Sequence, residues 1–297
     1  MTLATQRALL DDLYRTHAAP GTPYALVDFP DHPNVGDSAI WLGEIACLRA
    51  ASECRPVYVS TWHDFDADAF RSACPTGPLF LHGGGNLGDI WPHHQHFREA
   101  LLAAIRDRPV VQLPQSILFR KPDEAGRFAR LARDHPDFTL YVRDAASLAF
   151  ARAHGIARAV LVPDSAIALG PQPRGGASQP LLMLLRRDDE ARGDHAAHGV
   201  DWLEDDADLP AGTSPEAREA QARARVARGL RLLSRGERVV TDRLHGHILC
   251  ALLGVPHVVL DNDYGKIAAY RAAWPLPDPK VATSTTLAEA MAVAERL

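Results

Sequence analysis

The chain of 297 residues has few cysteines and no long apolar run. Its four cysteines, Cys47, Cys54, Cys74 and Cys250, stand far apart with no C-x-x-C spacing. That pattern disfavours a disulfide framework or a cysteine zinc site and favours reduced, packed thiols. No apolar run reaches the roughly 18 residues of a membrane span, and residues 1–20 lack the apolar core of a signal peptide. We therefore predict a cytoplasmic protein.

Lysine is also scarce, with three lysines against 29 arginines. The formal net charge of −5 provides no excess of positive charge for a broad basic face, so no nucleic-acid partner is expected. Hydrophobic residues make up 46% and charged residues 23% of the chain, which is typical of soluble globular proteins. A chain of this length is expected to form one large or two medium domains.

Short apolar runs alternate with helical patterns along most of the chain. The strand-like runs are residues 24–29, 56–61, 77–83, 109–115, 138–144 and 159–164, and then 180–187, 238–242 and 256–261. Such alternation predicts βαβ units and parallel sheets. The segment 170–179 is rich in proline, glycine and serine and separates the two series. We predict an α/β fold of two Rossmann-like domains, residues 1–172 and 178–297.

The stretch "LHGGGNLGDIWPHHQHF" contains a glycine pattern, G-x-G-x-x-G, formed by Gly83, Gly85 and Gly88. A dinucleotide site needs an acidic residue about 20 positions later, at the end of the next strand. The next strand ends "PVVQLPQS" instead, which disfavours a dehydrogenase. Two interpretations remain. The glycines allow a tight strand-to-helix turn with positive φ, or their amides bind an anion or approach a sugar closely.

A second segment, "HPNVGDSAIW", resembles "HGGGNLGDIW", because both contain N-x-G-D followed closely by Ile-Trp. Each follows a predicted strand and precedes a predicted helix, so both should lie at the carboxyl edge of one sheet and form a crevice. The nearby His93, His94 and His96 lack a carboxylate or cysteine set, so we interpret them as a solvated loop or helix start and expect no metal site.

The second half carries a stronger signal, in "VVTDRLHGHILCALLGVPHVVLDNDYGK". Arg243 provides a planar charged fork that suits carboxylate or phosphate, and His245 is of the residue type that can exchange a proton near neutral pH. Lys266 stands at the start of the next helical element. Together these residues indicate an anion site facing the interdomain cleft. The charged segment 201–208 is interpreted as a solvated loop, with a lid over the site as the alternative.

The order of these motifs resembles the polysaccharide pyruvyl transferases. The segments that match are N-x-G-D, G-G-G-N, "QLPQS", "YVRDAASLAFARAHGI", "VPDSAIAL" and "RLHGHILCALLGVPHVVLDNDYGK". The resemblance implies a GT-B-like pair of Rossmann-like domains with the active site in the cleft between them. It also implies transfer of pyruvate from phosphoenolpyruvate to two sugar hydroxyls, which forms a cyclic ketal. One departure is "QSILFRKP", which lacks the Gly-Pro that commonly follows Q-S-I in the family.

The residues sort into three predicted roles. The predicted catalytic residues are His245, for the phosphate or for acid catalysis, and Asp37, for the acceptor hydroxyl. The predicted donor-binding residues are Arg243, Lys266, Arg143, Gly84 and Gly85, and the predicted acceptor-binding residues are Asn34, Asn86 and Asp89. We expect no cofactor besides the donor. Two alternatives stay open at this point: Asp37 caps the helix that follows it, or Arg143 merely pairs with Asp144 or another neighbour.

Two other functions remain possible for such a fold. One is a GT-B glycosyltransferase that uses a nucleotide sugar, which would need a ribose-binding acid and a base-stacking pocket. The other is a glycan-binding protein without catalytic activity. The family resemblance implies an acceptor in an exopolysaccharide or in its lipid-linked repeat unit, and thus transient contact with the inner membrane.

Overall fold

The computed structural model describes residues 1–187, 198–204, 209–261 and 265–297. The strands of the first sheet are β1 Ala25–Val27, β2 Tyr58–Ser60, β3 Leu79–Leu81, β4 Gly84–Gly88, β5 Val110–Leu118, β6 Phe138–Val142 and β7 Ala159–Leu161, and those of the second are β8 Gln179–Leu184, β9 Gly236–Thr241, β10 His257–Leu260 and β11 Val281–Ser284. The α-helices are α1 Leu3–His17, α2 Val35–Ser52, α3 Ala67–Ala73, α4 Pro92–Ala104, α5 Pro122–Asp134, α6 Ala145–Ala153, α7 Pro215–Ser234, α8 Leu244–Leu253, α9 Lys266–Ala273 and α10 Leu287–Ala294. Short 3₁₀ helices cover Ser165–Leu169 and Trp202–Glu204.

Both sheets are parallel. The first has the strand order β2-β1-β3-β5-β6-β7, with β4 added beside β5, and the second has the order β11-β10-β9-β8. Helices connect the successive paired strands, as parallel pairing requires, whereas β4 follows β3 after two residues and both strands pair with β5. The prediction of an α/β fold with two Rossmann-like parallel sheets is confirmed. The chain passes from one sheet to the other through residues 170–178, within the segment predicted as the linker.

Helix α2 lies between the two halves and is buried along most of its length. Asn34 caps its start by accepting the backbone N–H of Gly36 at 3.1 Å. Its apolar residues, such as Ile40, belong to one continuous core that includes Leu26 of the first sheet and Val239 of the second. The two sheets are therefore joined by packed side chains.

The glycine segment differs from its prediction. Residues 84–88 form strand β4 beside β5, and the next helix begins only at Pro92, so the prediction of a direct strand-to-helix turn is wrong. The predicted positive φ does occur, at Gly84 and Gly88. A Cβ on Gly88 would lie 1.8 Å from the carbonyl oxygen of Leu118. The close approach of two backbones explains this glycine.

None of the helices within the described ranges is long and apolar enough to cross a membrane.

We expect Gly43→Ala to lower the free energy of unfolding by about 1–3 kcal/mol, because overpacking a tight contact forces the backbone to shift. The added Cβ would lie 1.9 Å from the carbonyl oxygen of Ser165, where α2 crosses the 3₁₀ helix. Urea unfolding followed by circular dichroism measures the change. Gly126→Ala is the matched control, since its Cβ meets nothing within 4 Å and alanine is the better helix former. Equal loss of stability in both variants would contradict the packing described for α2.

Candidate active site between the two sheets

A cavity of about 340 Å³ opens where the carboxyl ends of the two sheets face each other. The loops that follow β1, β4, β6, β8 and β9 line it. This is the edge at which open α/β sheets bind ligands, and the volume is at the lower end of about 300–1,000 Å³ for small-molecule sites.

Most of the residues predicted from the sequence meet at this cavity. Those that line it are Asn34, Asp37, Gly85, Asn86, Arg143, Arg243 and His245. Gly84 lies directly behind, since a Cβ there would be 3.4 Å from Oδ1 of Asp37. The side chain of Lys266 lies outside what the structure describes, so its predicted role stays a prediction.

The N-x-G-D segment brings Asp37 to the cavity wall. Asn34 caps α2, so the alternative that Asp37 is the cap is wrong. Instead, Asn34 donates Nδ2–H to Oδ2 of Asp37 at 2.8 Å, and Nε2 of His32 lies 3.6 Å from the same oxygen. Burial works against ionisation of Asp37, but the charges of His32 and His245 outweigh it and lower the pKa. Asp37 is therefore a carboxylate at neutral pH, with a quarter of its side chain exposed.

His245, in the first turn of α8, packs directly against Gly36. A Cβ on Gly36 would lie 2.3 Å from Nδ1 of the imidazole. The glycine of the first motif thus makes room for the histidine of the last one, although they are far apart in sequence. Sequence reasoning used both motifs and missed this contact, because nothing local signals which ring a glycine must accommodate.

Asp164 holds His245 and Arg143 together and was not predicted as a site residue. It is fully buried, and its Oδ2 lies 2.5 Å from Nη1 of Arg143 and 3.3 Å from Nε2 of His245. Burial works to raise the pKa of Asp164, but the charges of His245 and Arg143 outweigh it and lower the pKa well below its usual value. The available signal was its position after β7 in "VPDSA", at the same sheet edge as the other loops.

Arg143 is anchored by side chains other than its predicted neighbour. Its Nε donates to Oγ of Ser116 at 2.9 Å, and that hydroxyl donates to Asp144 at 2.6 Å. The direct ion pair of Arg143 is with Asp164. The alternative that Arg143 pairs with a neighbour therefore named the wrong residue in Asp144. Only 3% of the Arg143 side chain is exposed, and it still contributes to the cavity wall.

The second sheet contributes the wall richest in arginine. Arg243 donates from Nη2 to Asp201 at 2.6 Å and stands over the ring of Trp202 at 5.6 Å. Arg186, which follows β8, also lines the cavity, and its backbone N–H binds the buried carboxylate of Asp242. Helix α8 starts here with no side chain bonded to its first amides among the described residues. Positive charge and free helix amides make this wall suitable for an anion.

The segment 201–208 was interpreted as a solvated loop, and this is wrong at its start. Asp201 and Trp202 are 5% and 3% exposed, and Trp202 lines the cavity. The reason is the ion pair that draws Asp201 onto Arg243. Residues 205–208 lie outside the described part, so the alternative of a lid is not tested.

A second histidine–carboxylate pair faces the cavity from the first sheet. Nδ1 of His94 lies 2.7 Å from Oδ1 of Asp28, whose other oxygen accepts a bond from Arg98 at 3.0 Å. Asp28 is fully buried and has a φ of 68°, a strained value for a residue other than glycine. His93, His94 and His96 lie at the start of α4, so the helix-start interpretation is correct. His94 is nevertheless not solvated, because its side chain is only 15% exposed and pairs with Asp28. Within the described ranges, no group of three or more His, Cys, Asp or Glu side chains could hold a metal ion.

The two remaining acceptor predictions differ in outcome. Asn86 lines the cavity, and its Oδ1 accepts bonds from Arg98 at 2.6 Å and from Gln115 at 2.9 Å, so its amide group is oriented by neighbours. Asp89 is not among the cavity residues. Its carboxylate accepts the backbone N–H groups of Arg120 and Lys121 and braces the loop before α5. Asp89 therefore stabilises this loop and does not contribute to the cavity.

Fold and site define an α/β protein with two Rossmann-like sheets and an arginine-lined cavity between them. The model of the family described as polysaccharide pyruvyl transferase matches residues 34–264, and this chain belongs to that family. The matched range includes both N-x-G-D segments, Asp164 and the turn from Arg243 to His245.

Relatives from two organisms agree with this assignment. "Pyruvyl transferase 1" of Schizosaccharomyces pombe is 33% identical over 302 residues, which cover 92% of this chain and 75% of that protein. "Putative pyruvyl transferase EpsO" of Bacillus subtilis is 33% identical over 275 residues, 83% of this chain and 84% of that protein. A crystal structure of an uncharacterised Klebsiella pneumoniae protein has a TM-score of 0.63 at 18% identity, covering 96% of this chain and all of that one, and supports the fold.

We expect Gly36→Ala to reduce the rate of pyruvyl transfer by about a hundredfold, because a displaced catalytic group costs that much when it moves by about an ångström. The added methyl group would push the His245 ring away from its position. Turnover is measured below the melting temperature of every variant. Gly77→Ala is the control, since its added Cβ would lie 1.8 Å from the carbonyl oxygen of Pro23, at the edge of the first sheet away from the cavity. Wild-type turnover in Gly36→Ala would refute the role given to this contact.

Proposed function

We infer from the family that this chain is an enzyme that transfers pyruvyl groups to polysaccharide. We propose further that the donor is phosphoenolpyruvate and that the product is a cyclic ketal on two hydroxyls of one sugar. The observation that carries this proposal is the asymmetry of the cavity. Arg186, Arg243 and the first amides of α8 line the wall formed by the second sheet, whereas Asp37, Asn34 and Asn86 line the opposite wall, formed by the first sheet, to which Arg143 also belongs.

The arginine wall suits phosphoenolpyruvate because this donor bears both a carboxylate and a phosphate. Arg243 and Arg186 come from the second sheet, and Arg143 completes the clamp from the first. Guanidinium groups bind such anions through two parallel hydrogen bonds. We assign Gly85 to a close backbone approach to the donor, and we retain Lys266 as a further donor ligand.

The opposite wall suits a neutral sugar. A carboxylate such as Asp37 would repel the donor, so we place it beside the acceptor hydroxyls, where it accepts a proton. Asn34 and the oriented amide of Asn86 supply hydrogen bonds to other hydroxyls. The acceptor is proposed to be a sugar of an exopolysaccharide or of its lipid-linked repeat unit, which would bring the enzyme to the inner membrane transiently.

The reaction balances without any further reagent. The methylene carbon takes up one proton, which makes the adjacent carbon electrophilic. One sugar hydroxyl attacks that carbon, the bond to the phosphate oxygen breaks, and the second hydroxyl closes the ring. Of the two hydroxyl protons, one replaces the proton given to the methylene carbon, and the other leaves on inorganic phosphate.

Three side chains are positioned to move these protons. Asp37 takes the hydroxyl proton as general base, a role worth about 10²–10⁴-fold. His245 is assigned to the leaving phosphate, because its bond to Asp164 is long at 3.3 Å and can be exchanged for a ligand oxygen. His94, held through Nδ1 by Asp28, directs the rest of its ring to the cavity and serves the methylene carbon.

The direct test is incubation with phosphoenolpyruvate and saccharide acceptors, followed by mass spectrometry of the saccharide and assay of released phosphate. The expected result is a pyruvyl ketal formed together with one phosphate per transfer. Thermal shifts with phosphoenolpyruvate, with UDP- and GDP-sugars and with free oligosaccharide separate this function from a glycosyltransferase and from a glycan-binding protein. Stabilisation by a nucleotide sugar alone would overturn the proposed donor.

We expect Arg243→Ala and Arg243→Lys each to weaken phosphoenolpyruvate binding by at least about tenfold. Lysine keeps the charge beside Asp201 but cannot reproduce the planar fork. Titration calorimetry measures affinity, and wild-type binding should weaken as salt rises, because charges are screened. Arg130→Ala, which changes an exposed arginine on α5, should leave affinity intact. Wild-type affinity in the Arg243 variants would sink the donor assignment.

We expect Asp37→Asn to lower turnover by at least about a hundredfold while the donor affinity stays unchanged, because an amide cannot accept the hydroxyl proton. Asn34 caps the helix, so the variant should fold. Steady-state kinetics beside a melting curve make the measurement. If turnover stays near that of the wild type, the acceptor base is another residue, and His94 would be examined next.

A further inference from the structure

Two exposed tryptophans flank the start of α4, just outside the cavity. Trp91 precedes the first residue of α4, lines the cavity and is 41% exposed. Trp62, in the loop after β2, is 40% exposed and stacks on His93, with ring centroids 4.9 Å apart and planes 15° apart. Exposed aromatic surface gathered beside a ligand cavity marks a binding site more often than chance.

His94 connects the cavity to this surface. The ring of Trp62 meets that of His94 edge to face at 6.5 Å, and His94 itself lines the cavity. Because His93 covers one face of Trp62, the exposed area belongs to the rest of the indole. Trp62 thus lies one ring contact beyond the cavity wall, and Trp91 is part of that wall.

The loop that carries Trp62 is held in place by buried charge. Asp64 accepts bonds from the backbone N–H and the hydroxyl of Thr61, at 2.6 and 2.7 Å. Arg218 of α7, only 3% exposed, binds the other oxygen of Asp64. An indole on a loop braced in this way is preorganised, so little entropy is lost when a ligand stacks on it.

The cavity volume limits how much of a saccharide acceptor fits inside the cavity. About 340 Å³ is enough for a small donor and one sugar ring, so the rest of a saccharide chain has to continue outside. The C–H face of a pyranose is apolar, and its weakly positive hydrogens match the negative face of an indole.

We propose that Trp91, and Trp62 backed by His93, form an aromatic platform that binds the sugar residues next to the reacting one. The enzyme thereby selects an acceptor of at least two sugars. This inference rests on the proposed function for the sugar in the cavity, but the platform itself is a saccharide site that needs no donor.

Calorimetric titration with cellotetraose, β-1,4-galactotetraose and chitotetraose, each against its own monosaccharide, tests the platform on the whole chain. At least one tetrasaccharide should bind about tenfold more tightly than its monosaccharide, which corresponds to about 1.4 kcal/mol. Trp62→Ala should abolish that gain, and Trp62→Phe should retain most of it, because phenylalanine keeps an aromatic face. Met291→Ala, an equally exposed residue on α10, is the control and should change nothing.

The platform is overturned if no tetrasaccharide gains over its monosaccharide, or if the gain survives in Trp62→Ala. Calorimetry with phosphoenolpyruvate on the same variants keeps this outcome apart from the proposed donor. If tetrasaccharide binding depends on Trp62 but phosphoenolpyruvate does not bind, the proposed donor is wrong and the proposed platform stands. If phosphoenolpyruvate binds but the tetrasaccharide affinity does not change in the Trp62 variants, only the proposed platform is wrong.

Discussion

The buried carboxylate of Asp164 is the contact on which the site depends. It receives Arg143 from the first sheet and His245 from the second, so one ionised group fixes two side chains that arrive from opposite directions. Burying a carboxylate costs several kcal/mol unless it is paired and hydrogen-bonded. Here that cost is offset by the guanidinium of Arg143, by the imidazole of His245 and by the backbone N–H of Ala166. The same hydrogen bonds that stabilise the buried carboxylate also orient the side chains of Arg143 and His245 at the cavity.

Helix α2 provides the second constraint. It fits between the halves only because glycine stands where other atoms come closest: Gly36 against His245 and Gly43 against Ser165. At Gly229 of α7, a Cβ would lie 2.3 Å from Val35 of α2. Side chains of ordinary size would separate the sheets and open the cavity. The geometry of the cleft thus follows from close packing of the backbone at these glycines. The same packing fixes where the charged residues of the cavity lie.

The cavity joins two chemically different surfaces, and each follows from the strand ends that form it. The loops after β8 and β9 supply arginines and the start of α8, whereas those after β1 and β4 supply carboxylate, amide and imidazole groups. In the proposed function, the second-sheet side takes the anionic donor and the first-sheet side takes the neutral acceptor. Trp62 follows β2 of the first sheet, so the proposed platform belongs to the proposed acceptor side.

The sequence by itself determined the alternation of strands and helices, the parallel sheets and the loops that form the cavity. These depend on local periodicity and on the rule that carboxyl ends of parallel strands share an edge. It also predicted Asp37, Arg143, Arg243 and His245 at one site. Only the tertiary structure decided which partners these residues have: Asp164 for Arg143, Gly36 for His245, and Asp28 for His94. Such pairings join residues up to some two hundred positions apart, and no local pattern records them, because burial and close approach arise only when the two sheets pack together.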